Sequence, residues 1–100
     1  ALLMSAALMD AATAKQTGLV NEVTTQEELI TYTRGILEQI NSKAPLAVAG
    51  CIKTANAVFD ESTDGYALEI AEFGNAFDTD DRKEGVAAFL EKRKAVFSGK

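Results

Sequence analysis

Polar and apolar positions along this chain fall into blocks with helical spacing, and little of it reads as strand. Behind Thr25, the residues Leu29, Ile30, Thr33, Ile36, Leu37 and Ile40 recur at steps of three and four, which gives a helix one apolar face. Thr25 and Glu28 make the Thr-x-x-Glu of a capping box, where each side chain satisfies an N–H left free by the first turn. Gly35 inside this helix costs about 1 kcal/mol relative to Ala, so a close approach by another element is expected there. Asn41 and Ser42 end it. Pro45 stands where a first-turn proline is tolerated and opens a second helix to about Phe59. Its apolar set is Val48, Cys51, Ile52, Ala55, Val58 and Phe59, and the small Ala and Gly around them predict burial between other elements. Ser62 or Thr63 is the expected cap of a third helix with the stripe Tyr66, Ile70, Phe73 and Phe77. Thr79 caps a fourth, with Asp80, Asp81 and Glu84 in its first turns complementing the helix dipole. Val86, Phe89 and Leu90 form its apolar face.

The first part of the chain is patterned differently. Asp10 as N-cap and Gly18 as terminator bracket a short helix over Ala11–Thr17. Leu19, Val20 and Val23 allow one brief strand or an extended connector. Residues 1–9, ALLMSAALM, are apolar or small throughout, with no capping residue ahead of them. They read as the interior of an element of a longer protein. A frayed helix or a signal remnant is the plainer reading, but no basic segment precedes the run as a secretory signal requires. No internal repeat, low-complexity tract or Gly/Ser linker appears.

Composition narrows the chemistry. The 100 residues include 15 acids, 10 bases, no His and one Cys, for a net charge of −5. Without His there is no imidazole base, no Ser-His or Cys-His dyad and no usual zinc site. Cys51 alone forms no internal disulfide or redox pair. The acidic balance argues against a general nucleic-acid binder, and no apolar run approaches the ~18–20 residues of a membrane span. A soluble chain of a reducing compartment, by default the cytoplasm, is expected. Charge is blocked: residues 60–81 carry Asp60, Glu61, Asp64, Glu69, Glu72, Asp78, Asp80 and Asp81 with no base, and 92–100 carry Lys92, Arg93, Lys94 and Lys100 with no acid. Such blocks are usually solvated faces. The alternative for the basic end is a compact phosphate-bearing ligand or an acidic neighbour.

No catalytic constellation emerges from residue chemistry. Asp78-Thr79-Asp80-Asp81 through Glu84 fails as a calcium loop, because Arg82 and Lys83 stand where a ligand and a Gly are required. Glu69 and Glu72 share a helical face without any sign of the dry pocket that acid–base work needs. Cys51 reads as an inert small hydrophobe. The glycines are isolated, so no phosphate-cradling loop is present.

The tail carries a resemblance. Residues 77–94, FDTDDRKEGVAAFLEKRK, resemble the C-terminal signature of the crotonase (enoyl-CoA hydratase) superfamily, an aromatic and acidic cap followed by D-x-x-E-G-x-x-A-F-x-E-K-R. The match falls on Asp81, Glu84, Gly85, Ala88, Phe89, Glu91, Lys92 and Arg93. Asp10-Ala11, Ala14-Lys15 and Gly18-Leu19-Val20 resemble the family's A-x-x-A-x-x-x-G-L-V segment, and Ala44-Pro45 with Lys53 its next helix. The ordered set covers essentially the whole chain. It is specific for the superfamily and not for one reaction, since isomerases, dehalogenases and naphthoate synthases share much of this tail.

The resemblance implies a mainly α fold with at most one short strand: the C-terminal helical part of the crotonase fold, which covers the acyl pocket and builds a trimer, often paired into a hexamer, without the N-terminal ββα spiral. Residues 1–24 would form the junction to that spiral and 25–100 the helical domain. In hydratases of the family the spiral supplies two glutamates and an oxyanion hole of two backbone N–H groups. All precede the position matching Ala1, so no catalytic residue and no metal ligand is expected here, and the chain alone would be inactive. The implied parent is a lyase that hydrates 2-enoyl-CoA to 3-hydroxyacyl-CoA in fatty-acid or butyrate metabolism, with no cofactor beyond its CoA thioester substrate. An isomerase or other enolate-forming member is the second reading, and a free-standing helical interaction module the reading from another class. Two site residues carry over from the family, Phe73 and Lys92, which would meet the CoA nucleotide in a neighbouring subunit. An aromatic face suits adenine and an ammonium suits phosphate oxygens, while plain core packing for Phe73 and a solvated surface for Lys92 remain open. Arg93 and Lys94 are weaker candidates for the same phosphates. The apolar side chains of Leu2, Leu3, Met4, Leu8 and parts of the Val48–Phe59 helix should lack partners within one chain, so self-association is expected.

Overall fold

In the computed structural model, which describes residues 8–100, five α-helices and one 3-10 turn follow one another, and no strand occurs among the described residues. The chain divides into two compact units, residues 1–35 and 36–100. Leu2, Leu3 and Met4, expected to lack partners, lie outside the described residues; Leu8 is fully exposed.

In the first unit α1 (Ala11–Gln16) opens as its sequence dictates. Asp10 Oδ1 accepts the Thr13 N–H at 2.7 Å, and this bond holds the Asp10 carboxyl below the usual range. Gly18 follows at φ +74°, a left-handed conformation that a Cβ disfavours. The reversal brings the N–H groups of Leu19 and Val20 back to the Ala14 carbonyl at 2.9 and 3.3 Å, and Ala14 is buried. Leu19, Val20 and Val23 form the connector rather than a strand. An ion pair from Lys15 to Glu22 ties it to α1, and with the Val23 N–H it lowers the Glu22 pKa.

Half of the capping box at Thr25 is made. Thr25 Oγ1 accepts the Glu28 N–H at 3.3 Å, and its hydroxyl donates to Glu28 Oε2 at 3.0 Å. The Glu28 carboxylate thus meets the threonine hydroxyl instead of its backbone N–H. The helix behind, α2 (Leu29–Asn41), contains the boundary between the two units. Its apolar face exists as spaced, yet Leu29, Ile30, Ile36, Leu37 and Ile40 are all exposed. Gly35 does not mark a close approach: nothing lies within 4 Å of where its Cβ would sit.

The second unit holds α3 (Pro45–Asn56), a 3-10 turn (Ala57–Phe59), α4 (Gly65–Phe77) and α5 (Asp80–Glu91). Pro45 opens α3, whose helical geometry tightens after Asn56 instead of running on to Phe59. Burial of α3 is not observed: none of its residues is buried and Cys51 is exposed. The small residues instead serve close contacts such as that of α3 with α4, where a Cβ on Gly50 would touch Glu72 Cβ at 3.7 Å. Lys53 Nζ reaches Glu72 Oε1 at 2.5 Å beside it.

The cap of α4 is Asp64, not Ser62 or Thr63. Asp64 Oδ1 accepts the Ala67 N–H at 3.0 Å. The Ser62 and Thr63 hydroxyls donate instead to Asp60, at 2.6 Å each, and lower its pKa. A carboxylate is the stronger acceptor, and two in this run leave the hydroxyls as donors. Thr79 does cap α5, accepting the Arg82 N–H at 3.1 Å.

Buried residues among those described are only Ala14, Ala57, Ala88 and Asp81. The stripe Tyr66, Ile70, Phe73, Phe77 and the face Val86, Phe89, Leu90 are exposed. The helical spacing thus holds, and the apolar faces it marks are uncovered among the described residues. Contiguous apolar surface of this kind is unfavourable in water and marks a contact surface.

Candidate functional site

The second unit brings its aromatic residues to one side. Phe73 and Phe77, one turn apart on α4, have ring centroids 6.0 Å apart at 35°. The Arg82 guanidinium lies 4.2 Å over the Phe77 ring, while its Nε donates to the Phe77 carbonyl at 2.7 Å. This contact joins the end of α4 to the first turn of α5, a cation on an aromatic face backed by a charge-assisted hydrogen bond. Between the start of α3, the end of α4 and α5 lies an apolar groove of about 420 Å³. Phe73, Phe77, Val86, Phe89, Leu90 and Phe97 supply its walls.

The last residues are strapped back onto α5 by its acids. Asp81 is 2% exposed, and its carboxylate does not serve the helix terminus. Its Oδ1 accepts the Ser98 N–H at 2.6 Å and the Ser98 hydroxyl at 3.3 Å; its Oδ2 accepts the Gly99 N–H at 2.9 Å. The Asp81 N–H donates in turn to the Lys100 carbonyl at 3.1 Å. Glu84 receives Arg93 bidentately, at 2.6 and 2.9 Å, and the Val96 N–H at 2.8 Å. These bonds, the guanidinium first, bring the Glu84 pKa from an ordinary 4.5 to about 2, and Glu84 with Glu91 raises that of Arg93. Between the two anchors the Phe97 ring lies over Gly85, 3.5 Å from where a Cβ would be. Asp80 alone behaves as an exposed first-turn acid, paired with Lys83 at 2.7 Å, which lowers its pKa.

Of the two residues singled out from the family pattern, Phe73 lines the groove and is 71% exposed, so it is not a core residue of this chain. Lys92 does not line the groove; it follows the last turn of α5 at φ 55°, ψ 38°, exposed. The N–H groups of Lys92 and Arg93 return to the carbonyls of Phe89 and Ala88 at 3.3 and 3.0 Å, closing the helix around a left-handed residue. Arg93 is removed as a free phosphate ligand by its pairs with Glu84 and Glu91. Sequence spacing gave no signal for either anchor, because both bonds leave the helical period.

This fold has counterparts. A family model described as enoyl-CoA hydratase/isomerase matches residues 1–100. The crotonyl-CoA hydratase of Syntrophomonas wolfei is 42% identical over 100 residues, 99% of this chain and 38% of the relative. The mitochondrial enoyl-CoA hydratase of Pongo abelii is 40% identical over 85 residues, 84% of this chain and 29% of the relative. Among solved structures, an enoyl-CoA hydratase subunit from Geobacillus kaustophilus superimposes with a TM-score of 0.84 at 37% identity, covering 96% of this chain and 38% of that one. The chain belongs to the enoyl-CoA hydratase/isomerase family, the crotonase superfamily. It spans well under half the length of these relatives.

Proposed function

We propose that this chain is the C-terminal helical region of an enoyl-CoA hydratase, which hydrates a 2-enoyl-CoA reversibly to the 3-hydroxyacyl-CoA. The carrying observation is the exposed left-handed Lys92 at the end of α5, within the E-K-R segment, together with Phe73 on an apolar groove of the same unit. In this reading Phe73 stacks on the adenine of CoA and the Lys92 ammonium binds its phosphates, in the pocket of a neighbouring subunit. The catalytic glutamates and oxyanion hole belong to the part of the relatives that this chain does not span, so the 100 residues are inactive alone. The exposed faces of α2, α4 and α5 are the surfaces that meet the rest of the protein and the other subunits. Residues 1–24 are the junction and 25–100 the helical domain. The enzyme acts in the cytoplasm, on a CoA thioester, without metal or redox cofactor.

The test follows the loss of conjugated enoyl-thioester absorbance when the full-length protein meets crotonyl-CoA, with the product identified as the 3-hydroxyacyl thioester. The isolated 100 residues should leave that absorbance unchanged. Conversion of a 3-enoyl-CoA to the 2-enoyl isomer without hydration would replace the hydratase reading with the isomerase one. Sedimentation of the full-length protein as a monomer would remove the intersubunit pocket.

A further inference from the structure

Lys92 is the single non-glycine residue with positive φ among the described residues, and no hydrogen bond or ion pair occupies its ammonium among them. What flanks it is fixed. On one side its own N–H closes the last turn of α5. On the other, the Arg93 guanidinium is held at three nitrogens: Nη1 and Nη2 by the two oxygens of Glu84, and Nε by Glu91 Oε2 at 2.6 Å. Glu84 reaches further along the strap through the Val96 N–H. The backbone bonds close the helix, and the Glu84–Arg93 pair is the first of the contacts that tie down the departing chain, ahead of the Val96 bond to Glu84 and the Ser98 bond to Asp81. A lysine ammonium rides on a flexible four-carbon stem, so the region it searches is set by the direction of its Cα–Cβ bond. Fixing that bond limits the search.

We propose that Glu84 is a positioning residue for CoA binding: by clamping Arg93 it braces, from the C-terminal side, the left-handed turn that the backbone bonds close and from which Lys92 reaches the phosphates. This rests on the reading of Lys92 given under Proposed function. It assigns Glu84 work that a first-turn acid complementing the helix dipole would not do, since the carboxylate is directed to residues 93 and 96 and away from the helix N-terminus. A binding side chain keeps its productive geometry only where the residues around it are themselves locked by packing and hydrogen bonds.

A double-mutant cycle on the full-length protein, with coenzyme A as the probe in calorimetric titration, separates this from a general loss of structure. Lys92→Ala should weaken binding about tenfold, the scale of one charge-assisted hydrogen bond. Glu84→Gln should weaken it several-fold in the native background and leave it unchanged when Lys92 is already Ala. Both single variants should move the same phosphorus resonance of bound coenzyme A. If Glu84→Gln fails to fold by circular dichroism, Arg93→Gln breaks the clamp from the other side and should behave alike. An equal loss in both backgrounds, or no loss in the native one, overturns the positioning role while Lys92→Ala still weakens binding. Unchanged affinity in Lys92→Ala instead overturns the reading of Lys92 itself, and the inference with it.

Discussion

Asp81 and Ser98, 17 residues apart, are joined by a 2.6 Å hydrogen bond from the Ser98 N–H to the Asp81 carboxylate. The same carboxylate takes the Gly99 N–H and the Ser98 hydroxyl, so a 2% exposed acid holds the chain end against α5. Removing it leaves backbone donors in a half-buried place without an acceptor. Asp81→Ala should cost about 2–3 kcal/mol of stability, and Asp81→Asn less, because the amide keeps one acceptor oxygen. Denaturant titration of the protein measures the cost, and amide exchange at Ser98 and Gly99 should accelerate in both variants. Unchanged exchange there would mean that the strap is held by Glu84 alone.

Glu84 gives the strap a second anchor with a defined pH range. Its pKa falls from 4.5 to about 2 through the Arg93 guanidinium and the Val96 N–H. A depressed acid binds fewer protons in the folded than in the unfolded state between those two values. Its contribution is therefore complete above about pH 4.5 and is lost as pH falls through about 2. A carboxyl resonance of Glu84 followed by NMR should titrate near the lower value, with Val96 amide protection lost over the same range. In Arg93→Gln the midpoint should move up toward an ordinary glutamate. A midpoint near 4.5 in the unaltered protein would show the pair absent in solution.

The local signals were legible and the distant ones were not. Asp10, Pro45 and Thr79 stand where their sequence placed them, because a cap or a first-turn proline is decided within about three residues. Asp64 was missed for a related reason. The run Asp60 to Asp64 offers several oxygens to one helix, and the winner depends on which N–H groups the preceding turn has already used. Asp81 and Glu84 read as dipole acids since their true partners lie 17 and 9 residues onward, outside any periodicity. The aromatic stripe of α4 read correctly as one face, yet periodicity says only that a face is apolar and never what covers it. Gly35 is the converse: a glycine inside a helix suggests a close contact, and here it stands in open space.

That open space at Gly35 carries a stability prediction. Gly in a helix interior costs about 1 kcal/mol relative to Ala through backbone entropy. Where no atom obstructs the added methyl, Gly35→Ala should recover most of that amount, read as a raised midpoint of thermal unfolding. Destabilisation in the full-length protein would mean that another segment or subunit packs against α2 at this point.

Phe73 should separate binding from stability. It is 71% exposed in this chain, so truncation removes little buried area and should cost no more than about 1 kcal/mol. Stacking of a base on an aromatic ring is worth about 1–3 kcal/mol by alanine substitution. Phe73→Ala in the full-length protein should accordingly weaken coenzyme A roughly tenfold, while Phe73→Tyr, which keeps the ring face, should nearly match the original. Calorimetric titration of both variants checks it. Equal losses in Ala and Tyr would contradict stacking, and a large drop in unfolding temperature with affinity kept would return Phe73 to packing.

Lys92 offers the sharpest division between the two. A left-handed backbone costs a side-chain-bearing residue about 1–2 kcal/mol, whereas Gly adopts it freely and is the usual residue after a helix end. Gly also loses about 0.5–1 kcal/mol more on folding through its freer unfolded chain. The difference leaves Lys92→Gly more stable by roughly 0.5–1 kcal/mol. A strained backbone at a side-chain-bearing residue is the kind of feature that clusters at binding sites. Lys92→Gly should thus raise the unfolding temperature of the ligand-free protein and reduce the further rise that saturating coenzyme A produces. Stabilisation with an undiminished coenzyme A shift would leave the ammonium without a role. A lowered unfolding temperature would mean that the Glu84–Arg93 clamp depends on the lysine rather than the reverse.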